Sequence, residues 1–248
     1  METIYILWLR QIKRYLRSHS RIVGTLGQPL LFMIALGFGF GPIYARAGNG
    51  NYLQFLVPGI ISQSVLFTSL FNGVEVIWDR QFGFLKETLV APVSRLKIII
   101  GRTLGGATIA CLQGLIVFSL SLFIGFRPIN WLSIMPMILM IFLIALAFTA
   151  LGTAIASTLD DMHGFQLIMN FLVMPLFFLS GALFPLKNLP KIMEIITKID
   201  PLTYGVDGLR AILIGSSHFN LSLDFLVLII LCFIFLTAGA WLFSKVQI

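Results

Sequence analysis

The chain contains 248 residues, of which 58% are hydrophobic and only 11% are charged, and its mean hydropathy is +0.98. Soluble globular domains contain about 25% charged residues, so this composition excludes an ordinary soluble domain. The formal net charge is +7, and the two cysteines form neither a disulfide framework nor a metal-binding motif.

Six apolar runs are each long enough to cross a bilayer, which requires about 20 helical residues. The runs are continuously apolar, whereas the strands of a membrane β-barrel alternate, so helices are predicted. We therefore expect an all-α polytopic membrane protein in which residues 1–248 form a single transmembrane domain. The predicted spans lie near Ile22–Tyr44, Leu53–Ile77, Ile98–Phe126, Trp131–Leu159, Gly164–Phe184 and Leu221–Phe243.

Basic residues are concentrated before the first span and between the second and third spans. The short loops on the opposite side contain only Arg46 and Arg127. By the positive-inside rule, the N-terminus, the loop between spans two and three, and the C-terminus are expected in the cytoplasm. The long loop 185–220 is then external, and its four basic residues are a mild exception because long loops follow the rule weakly. Anionic lipid head groups explain this basicity better than nucleic acid does.

Residues 1–21 have the pattern of an amphipathic helix. The apolar and aromatic side chains recur at the spacing of one helical face, and five basic side chains fall on the other face. A helix of this kind lies along a membrane surface. It serves either as a simple topology anchor or also as a contact for a cytoplasmic partner.

The second and fifth spans carry more polar and aromatic side chains than the others. Polar residues within a span face the bundle interior or a water-filled cavity, so those of the second span either line a path or join helices by hydrogen bonds. In the fifth span, Pro175 is expected to kink the helix. Candidate residues of a substrate path are Gln63, Phe67, Phe71, Asn170, Met174 and Phe177.

The segment Asp79–Arg102 is polar and mostly basic, and it is expected to lie in water at the cytoplasmic membrane face. Its residues 79–97, which we call the inner loop, contain a short helical stretch, Phe84–Val90. Pro92 should end that helix because a proline disfavours helical geometry in the residue before it. Ser94 is then suited to cap the helix of the third span. The inner loop is therefore predicted to be a rigid docking element.

Two further polar segments connect the later spans. The turn 160–164, Asp-Asp-Met-His-Gly, could suggest a metal or catalytic site, but a solvated, helix-capping turn is the favoured interpretation. Beyond Pro185, two helices, Leu189–Ile199 and Pro201–Ile214, are too short to span and are expected to be interfacial or re-entrant. Asp200 suits the N-cap and Pro201 the first position of the second of these helices. Asp207 and Arg210 are spaced to pair on one helical face.

Taken in order, these features resemble the permease subunits of type-2 ATP-binding-cassette exporters, with the drug-resistance and nodulation-factor exporters most similar. The resemblance covers nearly the whole chain and includes DRQFGFLKETLVAPVSRLKIIIGR in the inner loop, then FFLSGALFPLKNLP, then DPLTYGVDGLR. It implies that the inner loop is a coupling helix received by a groove on a separate ATPase, which binds ATP and Mg. No cofactor is expected in this chain. The resemblance further implies that spans two and five line a path at a dimer interface.

Two groups of residues follow from this resemblance. The residues expected to contact the ATPase or to shape the coupling loop are Arg80, Phe82, Gly83, Phe84, Leu85, Glu87, Pro92 and Arg95. The residues expected at an external gate or re-entrant hairpin are Pro185, Pro201, Tyr204, Asp207 and Arg210.

Other function classes fit the sequence less well. The chain has no GxxxxGK[ST] phosphate loop, so an ATP-driven process would need two copies of a partner ATPase. No charged residue lies in the middle of a predicted span, which disfavours ion coupling, and no histidine has a catalytic constellation. We expect two permease copies in a bacterial or archaeal inner membrane, exporting an amphipathic drug, a lipid or a lipid-linked glycan. A homodimer is favoured, and a heterodimer is the alternative. A lipid-linked polysaccharide exporter and a non-transporting assembly factor remain alternatives.

Overall fold

The computed structural model describes residues 2–47, 50–84, 93–186 and 189–245, and all regular structure in these ranges is helical. The predicted inner-loop helix, Phe84–Val90, lies outside the described residues from position 85 onward. A 3-10 turn, Trp131–Ser133, precedes the sixth helix. The helices are α1 (Glu2–Arg17), α2 (His19–Arg46), α3 (Tyr52–Phe71), α4 (Val74–Gln81), α5 (Arg95–Ile124), α6 (Ile134–Ser157), α7 (Met162–Leu179), α8 (Lys191–Ile199), α9 (Pro201–Ile214) and α10 (Leu221–Ser244).

Six helical units are long and apolar enough to cross a membrane, which confirms the prediction from hydropathy. They are α2, the α3–α4 unit, α5, the unit Trp131–Ser157, α7 and α10. The α3–α4 unit is central: 83% of its apolar window is buried, compared with 17% in α2 and in α10. The polar side chains of α3 therefore face protein rather than lipid.

Several helix boundaries differ from the sequence prediction. The fifth span was expected to reach Phe184, but α7 ends at Leu179. The amphipathic helix ends at Arg17, and α2 begins at His19 after a break at Ser18. The second span continues past a short break at Asn72 and Gly73 into α4. Gly73 allows α3 and α6 to touch there, because a Cβ atom at this position would overlap the carbonyl group of Gly152. Small residues permit such close backbone approach between membrane helices.

Helix α1 packs against α5 with the aromatic side that was expected to face the membrane. Trp8 Nε1 donates to Thr108 Oγ1 at 3.0 Å, and the Tyr15 hydroxyl donates to Gln113 Oε1 at 2.7 Å. Tyr5 and Leu16 remain more than half exposed on the flank of the helix. Some aromatic and apolar side chains of α1 therefore contact α5, while others remain exposed.

We call the end of the bundle that carries α4 and the turn 160–164 the α4 end, and the end that carries α8 and α9 the α9 end. At the α9 end, the Asp200 carboxylate accepts a hydrogen bond from Leu202 N at 2.9 Å, and Pro201 occupies the first helical position, as predicted. At the α4 end, Ser94 occupies the N-cap position of α5, but its side chain makes no capping hydrogen bond.

Candidate functional site

A cavity of about 250 Å³ lies between α1, α2 and α3 near the α4 end. We call it the α2–α3 cavity. It brings together three of the six residues proposed for the substrate path, Gln63, Phe67 and Phe71. The phenyl rings of Phe67 and Phe71 are stacked with 6.0 Å between their centroids. The sequence did not indicate that Tyr15 and Arg21, from the other two helices, would line the same space.

The other three path candidates lie elsewhere. Asn170 is exposed on α7, and Met174 on the same helix is 47% exposed. Phe177 is only 1% exposed, and its ring stacks on that of Phe32 with 6.3 Å between centroids. The structure therefore separates the predicted path into a cavity beside α3, an open face of α7 and a core contact.

At the base of the inner loop, the Arg80 side chain is hydrogen-bonded to another segment of the same chain. Its guanidinium donates to Ser157 O at 3.1 Å and to Leu159 O at 3.2 Å, and it pairs with the Asp160 carboxylate. This arrangement ties α4 to the turn between α6 and α7. Arg80 thus fixes where the inner loop leaves the bundle.

The neighbouring residues of the loop differ in exposure. Phe82 is 83% exposed, and Gly83 has a φ of +79°, a conformation that glycine adopts without steric cost. The Arg10 guanidinium lies 3.6 Å from the centroid of the Phe84 ring. Arg95 donates to the carbonyl of Ser244. Leu85, Glu87 and Pro92 lie outside the described residues.

The expectation that the whole segment Asp79–Arg102 lies in water is wrong at its two ends. Asp79 is 6% exposed and Arg102 is 3% exposed. The Asp79 carboxylate accepts from Arg10 at 3.0 Å and also pairs with Arg102. Buried charges in proteins are paired, and here two elements, α1 and α5, supply the partners. The partners are 69 and 23 positions from Asp79 in sequence, so no local pattern could reveal them.

A second ion pair, also missed from the sequence, joins α2 to α4. Arg21 Nη1 lies 3.1 Å from Glu75 Oε1, and Arg21 Nη2 donates to Asn72 Oδ1 at 2.7 Å. The Asn72 amide in turn donates to Gly106 O at 3.1 Å. The polar residues at this end of the second span therefore join helices, which was one of the two interpretations left open.

The external pair at the α9 end also differs from its prediction. No ion pair joins Asp207 and Arg210, both of which lie in the described part of the chain. The Asp207 carboxylate accepts from the backbone N–H groups of His218 and Phe219, at 2.8 and 2.7 Å. Arg210 instead bridges three elements: its guanidinium donates to Gly181 O at 3.1 Å and lies 3.9 Å from the ring centroid of Phe55.

The remaining gate candidates surround this centre. Pro185 lines the same small cavity as Asp207 and Arg210, and the Tyr204 hydroxyl donates to Lys198 O at 2.8 Å. Burial lowers the pKa of Arg210 to about 10, although the nearby Asp207 carboxylate opposes that shift. The arrangement locks α9 onto α3 and the segment after α7. It gives the α9 end a fixed structure.

The turn 160–164 is a helix cap, as favoured from the sequence. The Asp161 carboxylate accepts from His163 N at 3.2 Å and from Gly164 N at 2.7 Å. These hydrogen bonds lower the pKa of Asp161. Because both oxygens are committed to the helix, this residue has a structural role.

Six apolar helical units, a braced loop at one end and a short helical hairpin at the other define a multi-pass integral membrane protein. The ABC-2 type transporter family matches residues 2–214, and the chain belongs to that family. The resemblance noted from the sequence is therefore confirmed.

Relatives of known name support the same assignment. The chain is 30% identical to the inner membrane transport permease YadH of Escherichia coli (strain K12), over 90% of this chain and 88% of YadH. It is 28% identical to nodulation protein J of Rhizobium leguminosarum bv. trifolii, over 85% of this chain and 78% of that protein. It is 33% identical to ycf38 of Pyropia yezoensis, whose name describes a transport permease, over 85% of this chain and 73% of that protein.

Proposed function

We propose that this permease is the transmembrane half of an ATP-driven exporter in a bacterial or archaeal inner membrane. Two copies of the chain would work with two copies of a separate ATP-binding-cassette ATPase, which binds ATP and Mg. ABC-2 permeases generally work with such ATPases. The chain supplies the path and the loop on which the ATPase acts, and it exports an amphipathic or hydrophobic drug, a lipid or a lipid-linked glycan.

The observation that carries this proposal is the bracing of the inner loop. Where the loop leaves α4, Asp79 joins α1 to α5, and Arg80 joins α4 to the turn after α6. A loop that only connected two spans would need no such bracing. A loop that receives force must be joined rigidly to the helices that it moves.

Exposed apolar surface beside the bracing suits a partner contact. Phe82 is 83% exposed next to the immobilised Arg80. Large aromatic side chains are typical anchors at protein interfaces. In the proposal, Phe82, Phe84 and Leu85 give apolar contacts to the ATPase, while Glu87 gives a polar one. Arg80 is assigned to positioning, since both of its terminal guanidinium nitrogens donate within the chain.

The test uses the permease co-expressed and purified with a candidate ATP-binding-cassette ATPase from the same organism and reconstituted in liposomes. Glu87→Arg should abolish substrate-stimulated ATP hydrolysis and export while leaving membrane insertion intact. Glu194→Arg is the matched control, because Glu194 is an exposed carboxylate at the α9 end whose one ion pair among the described residues is with Lys198. Full transport by Glu87→Arg would remove the assigned role of the loop. Failure of any ATPase to co-purify would favour an assembly factor.

A further inference from the structure

Three polar side chains of α3 that line the α2–α3 cavity have no hydrogen-bond partner in the part of the chain that the structure describes. Gln63 is 2% exposed, and its Oε1 accepts no hydrogen bond from any described residue. The hydroxyl groups of Ser64 and Thr68, one and five positions further along α3, also make no hydrogen bond within the described ranges, although both residues are buried and line the cavity. Buried polar groups are normally paired. Gln63 Oε1 is such a buried acceptor, and two further hydroxyl groups without partners among the described residues line the same space, which favours a bound ligand with hydrogen-bonding groups.

The charge of the cavity is balanced within the protein. Arg21 reaches the rim, but one of its terminal nitrogens is paired with Glu75 and the other donates to Asn72. An anionic head group would therefore have to compete with a carboxylate already in place. The balance favours a neutral ligand with hydroxyl or amide groups.

Part of the remaining wall is apolar. The stacked rings of Phe67 and Phe71 lie on α3 beside the hydrogen-bonding groups and add an apolar surface to the same wall. Gly24 and Thr25 of α2 line the cavity and are exposed, so the space opens beside this helix. Further along α2, Leu31 is 61% exposed to the surroundings of the bundle. An apolar tail can follow this surface from the opening of the cavity.

The size of the cavity limits what it encloses. Sites that enclose a drug-sized ligand measure about 300–1,000 Å³, and this cavity has about 250 Å³. One head group fits, but a complete amphiphile does not. The tail must remain outside, in lipid.

From these features we infer that the α2–α3 cavity binds the neutral, hydroxyl-rich head group of a membrane amphiphile such as a glycolipid. Gln63, Ser64 and Thr68 hydrogen-bond the head group, Phe67 and Phe71 pack against its ring face, and its tail lies along α2. The inference rests on the proposed function only in treating this molecule as cargo. Binding itself requires no ATPase.

The experiment uses the full-length permease alone in phosphatidylcholine nanodiscs. The probe is decyl glucoside with a photoreactive diazirine in its chain, and labelled peptides are mapped by mass spectrometry. Saturable labelling of α2 and α3 is expected. Decyl phosphate with the same diazirine should label these helices at least tenfold more weakly, and methyl glucoside without a tail should not compete. Stronger labelling by decyl phosphate would overturn the neutral assignment, and competition by methyl glucoside would overturn the amphiphile assignment.

Single substitutions test whether the labelled site is the α2–α3 cavity. Gln63→Leu and Ser64→Ala should each raise the probe concentration needed for half-maximal labelling by about three- to tenfold, the effect of one lost hydrogen bond. Phe67→Ala should raise this concentration by about tenfold. Ser119→Ala and Phe233→Ala change the same residue types at exposed positions on α5 and α10, and they should leave labelling unchanged. Thermal unfolding of each variant checks folding.

Two outcomes separate this inference from the proposed function. If labelling does not saturate, or if folded variants label like the wild type, the probe only partitions into lipid and the site is refuted, while ATPase coupling is unaffected. If labelling behaves as expected but no ATPase co-purifies, the cavity is a lipid site and the exporter assignment fails.

Discussion

Replacing Asp79 with alanine should destabilise the protein strongly, because it leaves a buried cation without its acceptor. Arg102 is 3% exposed, and Asp79 is its only hydrogen-bond acceptor among the described residues; its Nε and Nη1 already lack partners. Breaking a buried ion pair by removing one partner costs about 3–5 kcal/mol. Arg10, the other partner, has a side chain that is 34% exposed. Arg10→Ala should therefore cost about 1 kcal/mol or less.

The assay is thermal unfolding of the purified permease in nanodiscs, with the double variant Asp79→Ala/Arg102→Met as the decisive comparison. That variant contains no buried unpaired charge, and exchange of a buried pair for apolar groups is often nearly neutral. It should therefore recover most of the stability lost in Asp79→Ala. The reasoning fails if Asp79→Ala unfolds within a degree or two of the wild type, or if the double variant loses the sum of the single losses.

Two further changes test other parts of the fold. Burial raises the pKa of Asp200 from 3.8 to about 7, so the native state retains a proton that the unfolded state releases, and stability should fall as pH rises across that interval. Asp200→Asn keeps an acceptor for Leu202 and should flatten this dependence in thermal unfolding; an unchanged slope would contradict it. A Cβ atom at Gly152 would lie 2.5 Å from Leu70 O, whereas Gly41 has nothing within 4 Å. Gly152→Ala should therefore cost about 1–3 kcal/mol and Gly41→Ala almost nothing, and equal melting temperatures would refute this close contact.

The features predicted well from the sequence are those set by hydropathy and local geometry. Continuous apolar runs identified six spans because each spanning helix must satisfy its own backbone in lipid. The N-cap at Asp200 followed from residue type and the adjacent proline. The capping turn at Asp161 followed from residue type alone. These signals lie within a few consecutive residues, so one sequence is sufficient to read them.

The features that were missed depend on contacts between distant segments. The basic side chains of residues 1–21 were predicted to share one face of a helix at the membrane surface, yet Arg10 of α1 reaches Asp79 and Arg21, which lies on α2, reaches Glu75. A helical pattern shows which side chains share a face, but it does not show what that face meets. The spacing of Asp207 and Arg210 was read correctly as one face, but each side chain pairs separately with backbone groups of other segments.

Helix α4 joins the proposed coupling loop to the proposed head-group cavity. Within eight residues it carries Glu75, which holds Arg21 at the cavity rim, and Asp79, which holds α1 and α5. Arg80 then fixes the turn after α6. A displacement of the inner loop must either move these partners with α4 or break buried ion pairs, which is costly. Because Arg21 belongs both to the rim and to this network, a force applied to the loop reaches the cavity through a direct chain of contacts.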